Sequence, residues 1–249
     1  MWTDFVSPLI IAHRGDRAYA PENTLAAFKQ AEEKGANAIE FDVKLTGDGE
    51  VIVLHDQTVD RTTDGHGNVV KYSLKALRRL NANVQFPDKF SNIKIPTLSE
   101  VFDSTDRHLH LNIELTNYAT PRDDLVSKVA ELVKKHGVQE RVLISSFLPR
   151  NLLKAAVLLP EVPRGLLTMP GLLGLWGRTF GWCGDYFAFH PYFSDVNPAM
   201  IDRVHAAGKW INVWTVNAGH DIKRMIGLGV NGIITDDPAL ALHLLGIAT

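Results

Sequence analysis

The sequence predicts an α/β fold, a TIM-type (β/α)8 barrel, and three observations lead there. Short apolar, β-rich runs alternate with stretches of helical spacing along the whole chain. The runs number eight, the strand count of such a barrel. The length of 249 residues matches the ~250 typical of that fold, and no linker, internal repeat or low-complexity segment divides the chain.

The runs occupy residues 9–12, 38–43, 109–115, 142–145, 165–168, 186–189, 210–216 and 232–234. Each is nearly continuous in apolar residues, as strands covered by helices must be, although a doubly wound parallel sheet would show the same runs. Helical spacing fills residues 24–34, 123–136, 151–159, 198–207 and 220–228. Gly137, Gly208 and Gly229 sit where a helix C-terminus favours a left-handed residue. In "APENTLAAF", Asn23 or Thr24 is placed to cap the first helix, with Leu25 and Phe28 on its buried face.

One stretch, "EFDVKLTGDGEVIVLHD", interrupts the alternation. Asp48-Gly49 between two β-rich runs signals a hairpin, so residues 51–54 should return antiparallel to an extended second strand. That return brings His55 to the rim where Glu40 and Asp42 emerge. From residue 56 to about 96 the chain exceeds an ordinary connection, so a small insertion is expected at about residues 47–96 of a single domain spanning 1–249.

Composition narrows the class. With 45% hydrophobic and 22% charged residues and a net charge of -2, the chain reads as an ordinary soluble globular protein with one sizeable core. The near-neutral balance argues against a nucleic-acid partner, which draws a basic surface. The one cysteine, Cys183, excludes an intrachain disulfide and gives no pointer to an oxidising compartment. The opening "MWTDFVSPLI" carries Asp4 and lacks the basic region of a secretory signal, and no run approaches the ~18 apolar residues of a membrane span. The expectation is a cytoplasmic protein.

The chemistry gathers at strand ends. Glu40 and Asp42 are two apart in "AIEFDV", so in a strand both carboxylates point to one face. Like charges aimed at one place are costly unless a cation neutralises them. Glu114, in "LHLNIELTN", ends another apolar run. Three carboxylates suit an oxygen-liking divalent ion, Ca²⁺ or Mg²⁺, with Mn²⁺ served equally; each would also serve as a rim residue in a surface ion pair. His13 and His55 each end an apolar run, in "LIIAHRG" and "EVIVLHD". Either can be an ordinary hydrogen-bonded strand-end histidine, yet two across a reacting phosphate can divide base and acid roles. Arg14 offers a planar fork suited to phosphate oxygens, and Gly15 lets the chain turn close to a ligand. Glu22 and Asn23 are placed to brace the loop that holds His13 and Arg14.

The sequence also resembles a known family. "AHRG", "APENTLAAF", "GANAIEFDVKLTGDGEVIVLHD", "RTTDGHG", "IPTLSEV", "NIEL", "SSF", "WTVN" and "GVNGIITDDP" follow, in order, the pattern of the glycerophosphodiester phosphodiesterase family, compact cytoplasmic bacterial type. The resemblance implies a TIM barrel with a small insertion after the second strand. It implies metal-dependent hydrolysis of glycerophosphodiesters, such as glycerophosphocholine or glycerophosphoethanolamine, to sn-glycerol 3-phosphate and an alcohol. Carried over, His13 and His55 match the acid/base pair, with His13 as base and His55 as acid. Glu40, Asp42 and Glu114 match the metal ligands, and Arg14 the phosphate-contacting arginine. The nucleophile, water or the neighbouring glycerol hydroxyl, stays open. Phe147 and Trp214, the strand-end aromatics of "SSF" and "WTVN", are candidates to line the glycerol pocket or simply to pack.

Two features depart from the plain pattern. The family commonly reads Glu-x-Lys at the third carboxylate, whereas Glu114 is followed by Leu115 and Thr116. The missing lysine leaves more of the phosphate charge to Arg14 and the cation. Second, between Gly165 and Gly184 the only charge is Arg178, amid Leu, Trp, Met and Phe. That stretch is either an apolar loop packed on the barrel or a lid and lipid-contact surface, which would favour lysophospholipids as in a lysophospholipase D. A non-catalytic phosphodiester-binding protein on the same barrel is a third reading, set back by the presence of both histidines and all three carboxylates.

Overall fold

The computed structural model describes Trp2, residues 8–180 and residues 184–247. Asp4 and Cys183, like residues 181–182 of the apolar stretch, lie outside the described residues. The strands are β1 Leu9–His13, β2 Ala38–Leu45, β3 Val51–Val53, β4 His110–Leu115, β5 Val142–Ser146, β6 Arg164–Thr168, β7 Ala188–Pro191, β8 Trp210–Val213 and β9 Gly232–Thr235. All but β3 run parallel, each beside the next, and β1 pairs with both β2 and β9. The sheet therefore closes on itself, which a doubly wound sheet cannot do. Strand β3 is the expected hairpin partner, with Val43 opposite Val53.

The connecting helices are α1 Leu25–Glu33, α2 Leu74–Leu77, α3 Leu98–Ser104, α4 Leu125–His136, α5 Pro149–Leu158, α6 Leu175–Phe180, α7 Pro198–Ala206, α8 Gly219–Leu228 and α9 Pro238–Leu244. Of the two cap candidates for α1, Thr24 is the one that caps: its Oγ1 accepts from Ala27 N at 3.3 Å. Gly137 and Gly229 take left-handed conformations at the ends of α4 and α8, where a side chain would be strained. The run expected at 186–189 is paired over Ala188–Pro191, and the one expected to reach 216 ends at Val213. Apolar content marks what is buried, while strand bounds follow the hydrogen-bond ladder, so the two differ by a few residues.

Strand parity sorts the core into two layers. Leu9 and Ile11, on the same side as His13, join Ala38, Leu143, Ala188, Ile234 and Trp2 inside the barrel. Ile10, Phe41, Val43 and Ile113 face outward beneath the helices, where Phe28 of α1 meets Phe41 at 5.4 Å between ring centres. Complete burial of such side chains contributes about 1.5–3 kcal/mol each, so the shell fixes the strands that present the site. From β3 up to α3 the chain packs its own small cluster, Ile52 of β3 with Leu54, Val59, Val69, Leu77 and Ile95. No helix among the described residues is long and apolar enough to cross a membrane.

Candidate active site

Register brings the chemistry together at the C-terminal mouth. In the parallel ladder His13 stands beside Glu40, and Asp42 beside Glu114. Active sites of this barrel class are built at that face. The cleft measures about 60 Å³ and is lined by His13, Arg14, Glu40, His55, Glu114, Phe147 and Trp214, among others.

Glu40, Asp42 and Glu114 each offer an oxygen, and these lie within 4.8 Å of one another. Glu40 and Asp42 are buried, and Glu40 Oε1 has no hydrogen-bond partner. Burial and the neighbouring carboxylates push the Glu40 carboxyl well above its ordinary range. Burial and Asp42 push Glu114 up to about 8. Asp42 goes the other way: burial is outweighed by the charge of Arg14, which holds it below the usual range. An all-oxygen donor set with an orphaned buried oxygen and mutually repelling charges fits a hard divalent cation.

Each imidazole is held by a carboxylate on its Nδ1. His13 Nδ1 donates to Asp236 Oδ1 at 2.6 Å, and His55 Nδ1 to Asp56 Oδ1 at 2.6 Å. That leaves Nε2 of each for other work, and His13 Nε2 lies 4.0 Å from Glu40 Oε2. Burial lowers the pKa of His13 and so favours its neutral form. Asp236 also accepts from Asn217 Nδ2 at 2.9 Å. Lys44, whose ammonium burial pushes down to about 8, donates to the carbonyls of His55 and Asp56 at 2.6 Å each.

Arg14 sits in a left-handed conformation, φ 57°, directly after β1. Its Nη1 donates to Glu22 Oε1 at 2.8 Å, its Nε lies 3.2 Å from Asp42 Oδ2, and its backbone N–H reaches Glu40 Oε2 at 3.2 Å. Gly15 next to it must be glycine: φ is +82°, and a Cβ would meet the backbone carbonyl carbon of Ala27 at 2.7 Å. Asn23 Nδ2 donates to Asp42 Oδ2 at 2.9 Å, while its backbone N–H donates to Arg14 O at 3.0 Å. Glu22 is buried, and burial is outweighed by Arg61, Arg14 and Arg17, which hold its carboxyl far below the ordinary range.

The structure brings His13, Arg14, Glu40, Asp42, His55, Glu114, Phe147 and Trp214 to one mouth, with Glu22 and Asn23 bonded beside them, and adds others. Phe147 packs edge-on against Trp214 at 5.5 Å and against Tyr118 at 5.8 Å, making an aromatic wall. Tyr118 O–H donates to Glu114 Oε1 at 2.7 Å. Thr116 is buried with its hydroxyl on Val43 O at 2.9 Å, turned to the backbone rather than the cleft. Asp56, Asp236, Arg17, Arg61, Lys44 and Tyr118 were not foreseen. Asp236, at a strand end in "TDDP", bore the same signal that singled out Glu114.

Fold and site together place the chain among barrel enzymes with an acidic, cation-suited mouth. The profile of the glycerophosphoryl diester phosphodiesterase family matches residues 13–240. The chain belongs to that family, and is an enzyme that hydrolyses glycerophosphodiesters. It is 40% identical over 237 residues to a glycerophosphodiester phosphodiesterase of Caldanaerobacter subterraneus subsp. tengcongensis, covering 95% of this chain and 97% of that one. A Bacillus altitudinis glycerophosphodiester phosphodiesterase is 34% identical over 241 residues, covering 94% and 97%. Among solved structures, an Oleispira antarctica phosphodiesterase in complex with the product sn-glycerol-3-phosphate superposes with a TM-score of 0.86 at 29% identity, over 96% of this chain and 97% of that one.

Proposed function

We propose that this cleft converts glycerophosphodiesters, glycerophosphocholine and glycerophosphoethanolamine among them, to sn-glycerol 3-phosphate and an alcohol with the help of one divalent cation. The observation behind the reading is the pinning of both imidazoles through Nδ1 at a mouth that His13, His55, Glu40 and Glu114 line together. Glu40, Asp42 and Glu114 would hold the cation, Ca²⁺ or Mg²⁺ by donor chemistry, with Mn²⁺ also served. Such an ion supplies Lewis-acid stabilisation of phosphate charge. Arg14 adds a fixed guanidinium beside the same phosphate. His13 takes the proton of the nucleophile, and His55 hands one to the departing alkoxide. Phe147 and Trp214 wall the glycerol moiety, and Glu22 and Asn23 brace the loop. The complex of the Oleispira relative with sn-glycerol-3-phosphate supports the product named. The reading takes residues 1–249 as one catalytic domain, with the insertion at about 47–96, acting in the cytoplasm.

The test is a substrate panel on metal-stripped protein with Ca²⁺, Mg²⁺ or Mn²⁺ restored singly. Turnover should return with at least one cation, and His13→Ala or His55→Ala should lower kcat by roughly 10²–10⁴. Near-native turnover of either variant would sink the assignment. A diester lacking the neighbouring glycerol hydroxyl separates attack by water, which it permits, from internal attack, which it abolishes.

A second reading, lysophospholipids as preferred substrates, is favoured by one feature. Beyond β6, Leu172, Leu173 and Trp176 are 88%, 83% and 77% exposed, and Trp176 stacks on Phe180. Arg178 is folded back on Met169 O and Asp195, so its charge leaves this apolar ridge. Such a ridge, on the segment that follows β6, suits lipid contact within the 165–184 stretch. A strong preference for lysophosphatidylcholine over glycerophosphocholine would install this reading in place of the first.

A further inference from the structure

Glu22 lies outside the carboxylate cluster, yet three arms of the site meet on it. Its Oε1 accepts from Arg14 Nη1 and Arg61 Nη2, both at 2.8 Å. Its Oε2 accepts from Arg61 Nη1 at 2.8 Å and Arg17 Nε at 2.9 Å. Four donors fill the acceptor sites of one carboxylate. From there Arg61 reaches Asp56, with Nε at 2.7 Å from Oδ2, and Asp56 holds His55. Arg17 reaches the other way: its Nη1 lies 3.6 Å from Asp236 Oδ1, the oxygen that holds His13. The backbone under Glu22 is tied on both sides, by Thr24 Oγ1 donating to Pro21 O at 2.6 Å and by the Asn23 N–H on Arg14 O.

We infer that Glu22 is a positioning residue that sets both proton-carrying imidazoles at once, His55 through Arg61 and Asp56, His13 through Arg17 and Asp236. The inference rests on the reading of those histidines as the acid/base pair. The charge is essential to it. Three guanidinium groups crowded on one point repel one another unless a carboxylate gathers them. A glutamine there presents one acceptor oxygen and turns N–H donors against the N–H donors of the arginines. The arginines then lose their common anchor, so Asp56 loses the group that fixes it and Asp236 loses one of the two groups beside it, keeping Asn217. Outer partners of this kind commonly govern activity by 10–100-fold.

The experiment compares Glu22→Gln, Arg61→Gln and Arg17→Gln on two diesters of glycerol phosphate: one with choline, and one with p-nitrophenol, which departs without a proton. Wild-type turnover is the control; its absence would fault the proposed function rather than this inference. Arg61→Gln should lower kcat about tenfold or more on the choline diester and far less on the p-nitrophenyl diester, because only proton delivery by His55 is impaired. Arg17→Gln should lower both alike, through His13. Glu22→Gln should combine the two patterns and add a rise in KM, because Arg14 loses the same anchor. The arginine side chains are 30% and 38% exposed, so these two variants decide the matter even if Glu22→Gln fails to fold. Wild-type kcat in Glu22→Gln, or the same leaving-group response in Arg61→Gln and Arg17→Gln, would overturn the inference.

Discussion

Replacing Glu114 with glutamine should stabilise the metal-free enzyme while removing its response to cations. Two unit charges at 4.8 Å, the outer limit of the carboxylate cluster, repel by about 3.5 kcal/mol at an effective dielectric of about 20. Ionised Glu114 suffers burial and also faces Asp42 in one such pair, which together push its carboxyl up to about 8. Taking up a proton at pH 7.5 instead costs about 4 kcal/mol for an ordinary glutamic acid. Protonation therefore wins, and the penalty of the cation-free cluster is capped near 4 kcal/mol. Glu114→Gln avoids that penalty but weakens the bond from Tyr118, leaving a net gain of about 2 kcal/mol. For a domain of this size the melting temperature rises by about 4–8 °C. Wild type in cation at a hundredfold over Kd should regain about 2.7 kcal/mol, and the variant much less. Thermal melts at pH 7.5 in chelator and in Ca²⁺ read both effects. A chelated variant melting below the chelated wild type would refute the argument, because it would mean that no repulsion is stored among these carboxylates.

Tyr118→Phe removes the hydroxyl that orients Glu114 and should weaken cation binding about tenfold by titration calorimetry; unchanged affinity would show the hydroxyl to be idle. Gly15→Ala forces a side chain against the Ala27 backbone at a left-handed position. It should cost roughly 1–3 kcal/mol in denaturant unfolding and lower kcat through displacement of His13 and Arg14; wild-type values for both would contradict it. His190, wholly buried in the barrel, has its pKa pushed down by burial to about 3. The unfolded chain therefore takes the proton first, so stability that is complete above about pH 6.5 is lost as pH falls toward 3, by about 1.4 kcal/mol per unit. Denaturant midpoints from pH 7 to 4 should slope in wild type and flatten in His190→Asn; equal slopes would assign the loss elsewhere.

Local pattern revealed much of the site because strand parity is a local property. Glu40 and Asp42 had to share a face, and the Asp48-Gly49 turn had to return His55 to it, whatever the rest of the chain did. The barrel itself was legible from its alternating runs, though closure was not, since the pairing of β1 with β9 joins residues more than two hundred positions apart. The same distance hid the partner of His13, whereas Asp56 stands next to His55 in sequence. Asp236 is 223 residues from His13, and Arg61 reaches Glu22 across 39 residues from within an insertion that has no strand pattern to aim it. Lys44 was concealed differently: its place in β2 announced a strand residue, while its amine turns to two carbonyls that only the folded hairpin supplies.

The bond between His13 and Asp236 gives the order of synthesis a meaning. His13 leaves the ribosome among the first residues of the barrel, and its carboxylate partner emerges almost a whole chain later. Until β9 docks beside β1, the imidazole has nothing to fix its ring. A partly folded chain can hold its acidic residues, its arginine and most of its sheet, and still leave the His13 ring unfixed. Docking of the last strand beside the first is what fixes the His13 ring.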